Sequence, residues 1–309
     1  MLLSCIERIK RQSIDAKIVV VEATDAQKDI EIDGVEYIRI PEKEGSFSKQ
    51  RNIAIRGVRT EWILFVDDDV VVTENWLKEM LKAVEDHREA IGIMGAVFPY
   101  RPNVIGFCEG VLGHPGGGFR LHHFSRGKII ALDGVATCNT IFRKKILEDV
   151  GMFAENLRYG GEDTELCYRI VGKYGKNKLF YTPSAQVFHV SKNNLLKFVR
   201  WYIRRGKADI ELYLHHHQHL HYILFTSILL KIFPCLLASL LLGKIWILGL
   251  TMLVWSIVQW KRSSFMFAYF SLYSFGFPKR CLTFFVFPLL KLVADVSFDV
   301  GRILRLFRK

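Results

Sequence analysis

The chain has 309 residues, 50% of them hydrophobic, and a formal net charge of +12, enough for one large domain with an appendage. The charge is segregated: residues from 191 onward hold 17 Lys+Arg against 4 Asp+Glu, which leaves the first 190 close to neutral. This excludes a nucleic-acid face on the N-terminal part and directs the basic C-terminal third toward a membrane surface.

The first residues, Met1 to Arg11, read as an amphipathic helix with Leu2, Cys5, Ile6 and Ile9 on one face, and there is no signal-peptide pattern. Ile18 to Val21 is a short buried strand, and Glu36 to Ile40 is a second, ended by Pro41. Ser48 to Val58 follows as a helix with Ser48 as its cap, then the apolar strand Trp62–Val66. Thr73 is the expected N-cap of a helix whose core stripe is Trp76, Leu77, Met80, Leu81 and Val84. This β-α-β alternation predicts an α/β layered domain. Gly113 to Gly118 is expected to form a mobile loop. The six cysteines form no CxxC pair, which argues against a zinc site or disulfide framework and for reduced thiols on the cytosolic side.

Composition changes after His189. Lys192 to Lys207 is basic and aromatic, and Tyr222 to Trp260 is almost wholly apolar. Gly243-Lys244 divides the apolar stretch into Tyr222–Leu242, long enough to cross a bilayer where roughly 20 residues are needed, and a shorter Ile245–Trp260. Basic residues cluster on both flanks of this hairpin and place both ends in the cytoplasm by the positive-inside rule. Leu282 to Val293, interrupted by Pro288 and Lys291, is expected to lie in the interface. A last helix from Asp295 to Lys309 would set Arg302, Arg305, Arg308 and Lys309 near anionic headgroups. His215, His216, His217, His219 and His221 read as a solvated stretch, since no carboxylates lie nearby in sequence to support a metal.

The chemistry concentrates at a few places. Asp67-Asp68-Asp69 ends the strand Trp62–Val66. Three adjacent carboxylates repel one another there, and a divalent cation removes that cost. The carboxyl end of a strand is also where open α/β sheets bind ligands. Gly160-Gly161-Glu162-Asp163 opens a helix, so the two acids occupy its first turn after glycines that admit close backbone approach. A carboxylate at that position can act as a general base, while Glu165 is spaced to pair with Arg169. His189, in the run Val187–Val190, is either a core residue or a metal ligand, should its strand return beside the triplet. Arg51 and Asn52, in Ser48-Lys49-Gln50-Arg51-Asn52, either hold the loop that carries the carboxylates or contact a donor.

Lys49 to Ala54, the run Glu61 to Asp69, the block from Gly134 through Arg143 to Val150-Gly151-Met152-Phe153, and Glu162-Asp163 together resemble glycosyltransferase family 2 over roughly residues 1 to 200. The resemblance implies a GT-A-like, Rossmann-type mixed sheet flanked by helices, and an inverting transfer from a nucleotide-sugar donor. It makes Asp69 the ligand of Mn2+ or Mg2+, with Asp67 on the metal or the ribose and His189 completing the metal shell. Asp163 becomes the base, with Glu162 and Gly161 on the acceptor side. Glu22, Arg51, Asn52, Asp67 and Asp68 fall on the donor side. The family opens with a strand ending in a Pro-Thr-x-Asn-like turn; this sequence starts at the helix that follows, so that strand is expected to be missing. Lys197 stands where processive synthases have the Gln of Gln-x-x-Arg-Trp, which favours transfer of one sugar.

The expected organisation is a catalytic domain over 1–200, a basic, His-rich interfacial linker over 201–221, a transmembrane helical hairpin over 222–260 and an interfacial, amphipathic segment over 261–309. The hairpin implies a lipid-linked or polysaccharide acceptor, and a cell (inner) membrane location with the catalytic domain in the cytoplasm. Two other readings stay open: a membrane scaffold with a degenerate transferase domain, and a metal-dependent nucleotidyl- or phosphotransferase.

Overall fold

The computed structural model describes residues 1–26, 31–217 and 219–307. They form two compact units: Met1–Tyr100 with Pro115–Val190, and Arg101–His114 with the chain from Ser191 onward. A short internal segment, Arg101–His114, thus groups with the C-terminal part of the chain.

The first unit runs α1 (Leu2–Lys10), β1 (Ile18–Ala23), β2 (Val35–Ile40), α2 (Phe47–Gly57), β3 (Trp62–Val66), β4 (Val70–Val72), α3 (Trp76–Asp86) and β5 (Gly92–Tyr100). Helix α4 (Val104–Val111) belongs to the second unit; the first resumes with α5 (Gly118–Ser125), β6 (Ile130–Leu132), β7 (Asn139–Arg143), α6 (Lys144–Asp149), α7 (Glu162–Tyr174) and β8 (Leu179–Val190). β1 and β2 pair in parallel as a separate two-stranded sheet. The main sheet has the order β3-β7-β5-β8-β4, with β6 on β8. Its centre, β5, is buried along nearly its whole length, as its apolar run requires. Trp76, Leu77, Met80 and Ala83 of α3 pack into the core with Ile93, Val97, Ile141 and Val187 of the sheet, so the predicted stripe faces the sheet. Helix starts differ from expectation. Ser46 caps α2, accepting from Lys49 N at 3.1 Å, while Ser48 is buried inside the helix. Asn75, not Thr73, precedes α3.

The second unit continues with α8 (Leu195–His215), α9 (His219–Thr226), α10 (Ile228–Leu241), α11 (Trp246–Arg262) and α12 (Phe277–Leu306). Helices α8 and α12 cross backbone to backbone. A Cβ on Gly206 would stand 1.9 Å from Phe298 O, and one on Gly301 2.1 Å from Ile203 O. The expected hairpin is altered: its first half is a pair, α9 and α10, bent by 42°. Among the described residues, the unbroken helix long and apolar enough to cross a membrane is α12, with 30 residues and a mean hydropathy of 1.8 over an 18-residue stretch.

The break expected at Pro288 is absent, and a new helix does not begin at Asp295; α12 runs through both. Proline removes the donor to the carbonyl four residues back, here Phe284. That oxygen instead accepts a hydrogen bond from Trp260 Nε1 at 2.8 Å, so no acceptor is stranded.

Two polar expectations also change. His219 is 4% exposed and bonds through Nε2 to Asp209 Oδ1 at 2.6 Å, so it is not part of a solvated stretch; its carboxylate partner comes from the preceding helix. Arg302 is buried rather than at a headgroup surface. Its Nη2 donates to Asp209 Oδ2 at 2.6 Å and Nη1 to Asp299 Oδ1 at 2.8 Å. Asp299 Oδ2 in turn accepts from Ser227 Oγ at 2.8 Å and Leu229 N at 2.9 Å, which caps the start of α10 at the bend. Arg308 and Lys309 lie outside the described residues.

Candidate active site

β3 delivers Asp67 to the end of the sheet, and β8 delivers His189 beside it. β4 pairs antiparallel with β8 in a register that sets Val70 opposite His189. The turn between β3 and β4 therefore brings both flanking aspartates to one imidazole: Asp67 Oδ2 and Asp69 Oδ1 each lie 3.2 Å from His189 Nε2. Asp68, the middle member, is exposed and outside this group. The three donor atoms of Asp67, Asp69 and His189 lie within 4.8 Å of one another. Two hard carboxylate oxygens and one imidazole nitrogen suit a divalent cation such as Mn2+ or Mg2+. His189 Nδ1 contacts Val190 O at 3.0 Å, which orients the ring with Nε2 toward the carboxylates. Burial alone would lower the His189 pKa. The hydrogen bond to Asp67, with the Asp69 charge and the Val190 carbonyl, outweighs it, and the net shift is upward.

The second acid motif lies where the sequence places it. Gly161, at φ +91°, is the N-cap of α7, and Gly160 before it has φ +104°. A side chain would be strained at either position. Glu162 and Asp163 open the helix but differ in environment. Glu162 is buried, and its Oε1 accepts from Arg51 Nη1 at 2.6 Å. Asp163 is half-buried; its Oδ1 accepts from Thr164 N at 2.7 Å. The charges of Asp67 and Asp163 both act on Cys138. The Cys138 thiol is pushed well up, first by burial and then by the charges of Asp67 and Asp163, with Arg51 acting in the opposite direction. Glu165 pairs with Arg169 as spaced, Nη2 to Oε2 at 2.5 Å.

Other expected site residues have structural partners. Asn52 is 2% exposed and clamps Phe153 from both sides, donating to its carbonyl and accepting from its N–H, both at 2.9 Å. It also donates to Glu155 Oε1 at 2.8 Å. Glu22 stands on the separate β1–β2 sheet and accepts from Tyr37 OH at 2.6 Å. Asn139 escaped the sequence reading. Register partner of Val66, it accepts from Trp76 Nε1 at 2.8 Å and donates to Ala96 O and Ala185 O at 3.1 and 3.0 Å. It thereby ties the strand that ends in Asp67 to its neighbours. A lone amide between Cys138 and the apolar Ile141-Phe142 was the available signal.

Residues 1–151 match the family described as Glycosyl transferase family 2. Over that stretch the chain is similar to glycosyl transferase family 2. The pre-mycofactocin glycosyltransferases of Mycobacterium tuberculosis strains CDC 1551 / Oshkosh and ATCC 25618 / H37Rv are 24% identical to it over 174 residues, 53% of this chain and 34% of each relative. The match thus spans about a third of their length. A solved mannosyltransferase from Pyrobaculum calidifontis, in complex with GDP-Man and Mn2+, aligns over 99% of this chain and 83% of its own, at 15% identity and TM-score 0.55. At that identity the likeness speaks for fold alone, and the fold is the expected GT-A arrangement. The family 2 match covers the Asp67–Asp69 triplet and Arg51 and stops before Glu162, Asp163 and His189; β8 sets His189 beside the triplet, and Arg51 links the triplet to Glu162.

Proposed function

We propose that this protein is an inverting glycosyltransferase that moves one sugar from a nucleotide-sugar donor to an acceptor hydroxyl. The observation that carries the reading is the Asp67/Asp69/His189 cluster at the strand end, with half-buried Asp163 at the start of α7. Asp163 takes the acceptor proton as that oxygen attacks the anomeric carbon. The bond from that carbon to the diphosphate breaks, and the nucleoside diphosphate leaves from the opposite face. A divalent cation held by Asp67, Asp69 and His189 would offset the charge growing on the leaving group. Asp68 and Glu22 stand on the donor side of this scheme, and Gly161 on the acceptor side.

The acceptor is proposed to be membrane-borne, such as a lipid-linked glycan or a growing polysaccharide. Supporting this, α10 and α11 each turn a continuous apolar stripe outward: Leu230, Phe233, Leu237 and Leu241 on one, Trp246, Leu250, Leu253 and Ile257 on the other, all exposed. Soluble proteins rarely leave so much contiguous apolar surface uncovered. Lys244, Lys261, Arg262 and Arg280 provide cations for anionic headgroups. The cytoplasmic leaflet of the cell membrane is the proposed location.

The test is a panel of UDP-, GDP- and dTDP-sugars incubated with the protein in anionic vesicles, with and without Mn2+. Cation-dependent release of a nucleoside diphosphate, with inverted anomeric configuration in the product, is expected. Release of a nucleoside monophosphate would make the protein a phosphotransferase instead. Failure to float with the vesicles would remove the membrane-borne acceptor.

A further inference from the structure

We propose that Arg51 is a positioning residue that ties the two acid motifs together and restrains cation affinity at Asp67. This rests on the metal-dependent reading above and adds a role that neither motif supplies by itself. Arg51 sits on α2, 111 residues from Glu162, yet its Nη1 donates to Glu162 Oε1 at 2.6 Å. Its Nη2 lies 3.8 Å from Asp67 Oδ1. One guanidinium therefore spans the start of α7 and the end of β3.

Its position is fixed by packing. The Arg51 guanidinium carbon lies 5.5 Å from the centre of the Phe153 ring and 5.9 Å from that of Phe47. Phe153 is buried, packs edge-on against Phe65 of β3 at 5.5 Å, and has its main chain clamped by Asn52. A planar fork held in this way cannot follow Glu162 away from Asp67 without breaking contacts to both aromatic rings.

Two consequences follow from charge alone. Glu162, the more buried of the two adjacent acids, has its Oε1 engaged by Arg51, which leaves Asp163 to serve the acceptor. The same positive charge also stands beside a cation ligand, so it opposes a second cation there. A residue of purely structural importance would weaken cation binding when removed. Arg51 should do the reverse.

The experiment measures Mn2+ affinity by electron paramagnetic resonance on full-length protein, with Mn2+ alone as the probe. Arg51→Gln should bind Mn2+ tighter, by roughly 3- to 10-fold. Glu162→Gln frees the guanidinium for Asp67 and should weaken binding by a similar factor, and the double variant should return toward wild type. Unchanged or weaker binding in a folded Arg51→Gln protein overturns the proposal. Should Arg51→Gln fail to fold by circular dichroism, Glu162→Gln decides: an affinity equal to or tighter than wild type overturns it. Absence of Mn2+ binding in the wild type would instead sink the metal reading itself, a distinct outcome.

Discussion

His189 is the register partner of Val70, the residue directly after Asp69. The antiparallel ladder between β4 and β8 thus fixes the imidazole against the acid turn. A one-residue slip would turn His189 to the other face of the sheet. His189→Ala should reduce Mn2+ affinity by at least the roughly 10- to 100-fold that outer-shell changes typically cost, with the far-ultraviolet circular dichroism unchanged. Affinity within a factor of two of wild type would remove His189 from the cation's ligands.

Asp163→Asn should lower transfer by about 10²- to 10⁴-fold while nucleoside diphosphate and Mn2+ still bind, as measured by calorimetry. Glu162→Gln should cost much less in rate, because Glu162 is already engaged by Arg51. If the two variants lose activity equally, the division of labour between the adjacent acids is wrong.

The Cys167 thiol is pushed from an ordinary 9.0 to about 12, chiefly by burial, with the Asp163 charge adding to the effect and a hydrogen bond from Val135 opposing it. A folded pKa above the unfolded one means that the contribution to stability is complete below pH 9 and is lost as pH rises toward 12. Thermal unfolding midpoints should therefore fall as pH climbs past 9, and Cys167→Ala should flatten that fall. An identical slope in the variant would assign the alkaline loss to other groups.

At the α8–α12 crossing there is no room for a side chain on Gly301, since the obstructing atom is the main-chain oxygen of Ile203. Gly301→Val should destabilise the helical unit by at least about 1–3 kcal/mol, the usual cost of overpacking. The readout is protease resistance of α8 and α12 in vesicles. Wild-type resistance would contradict the close crossing.

Much of the catalytic unit was legible because its signals are local. The apolar run Trp62–Val66 ending in three acids, the stripe on α3 and the double glycine before Glu162 each carry their meaning within a few residues. What stayed hidden depends on long-range pairing. Nothing near Arg51 announces Glu162, and nothing near Asn139 announces Trp76. The helical unit is less legible for the same reason. Pro288 looks like a terminator until Trp260 is seen to satisfy the carbonyl it leaves without a donor, and His219 looks solvated until Asp209 is found against it.

The cap that Asp299 places on α10 has an engineering consequence. A generic lipid anchor can usually be exchanged for another of equal length. Here, swapping residues 219–262 for a foreign segment would strip Asp299 of Ser227 and Leu229, and Arg302 of its Thr226 partner. It would leave ionic groups of α12 short of partners in a dry interior. The apolar helices of this protein are thus not an interchangeable tether, and chimaeras that treat them as one should misfold in the helical unit rather than merely relocate.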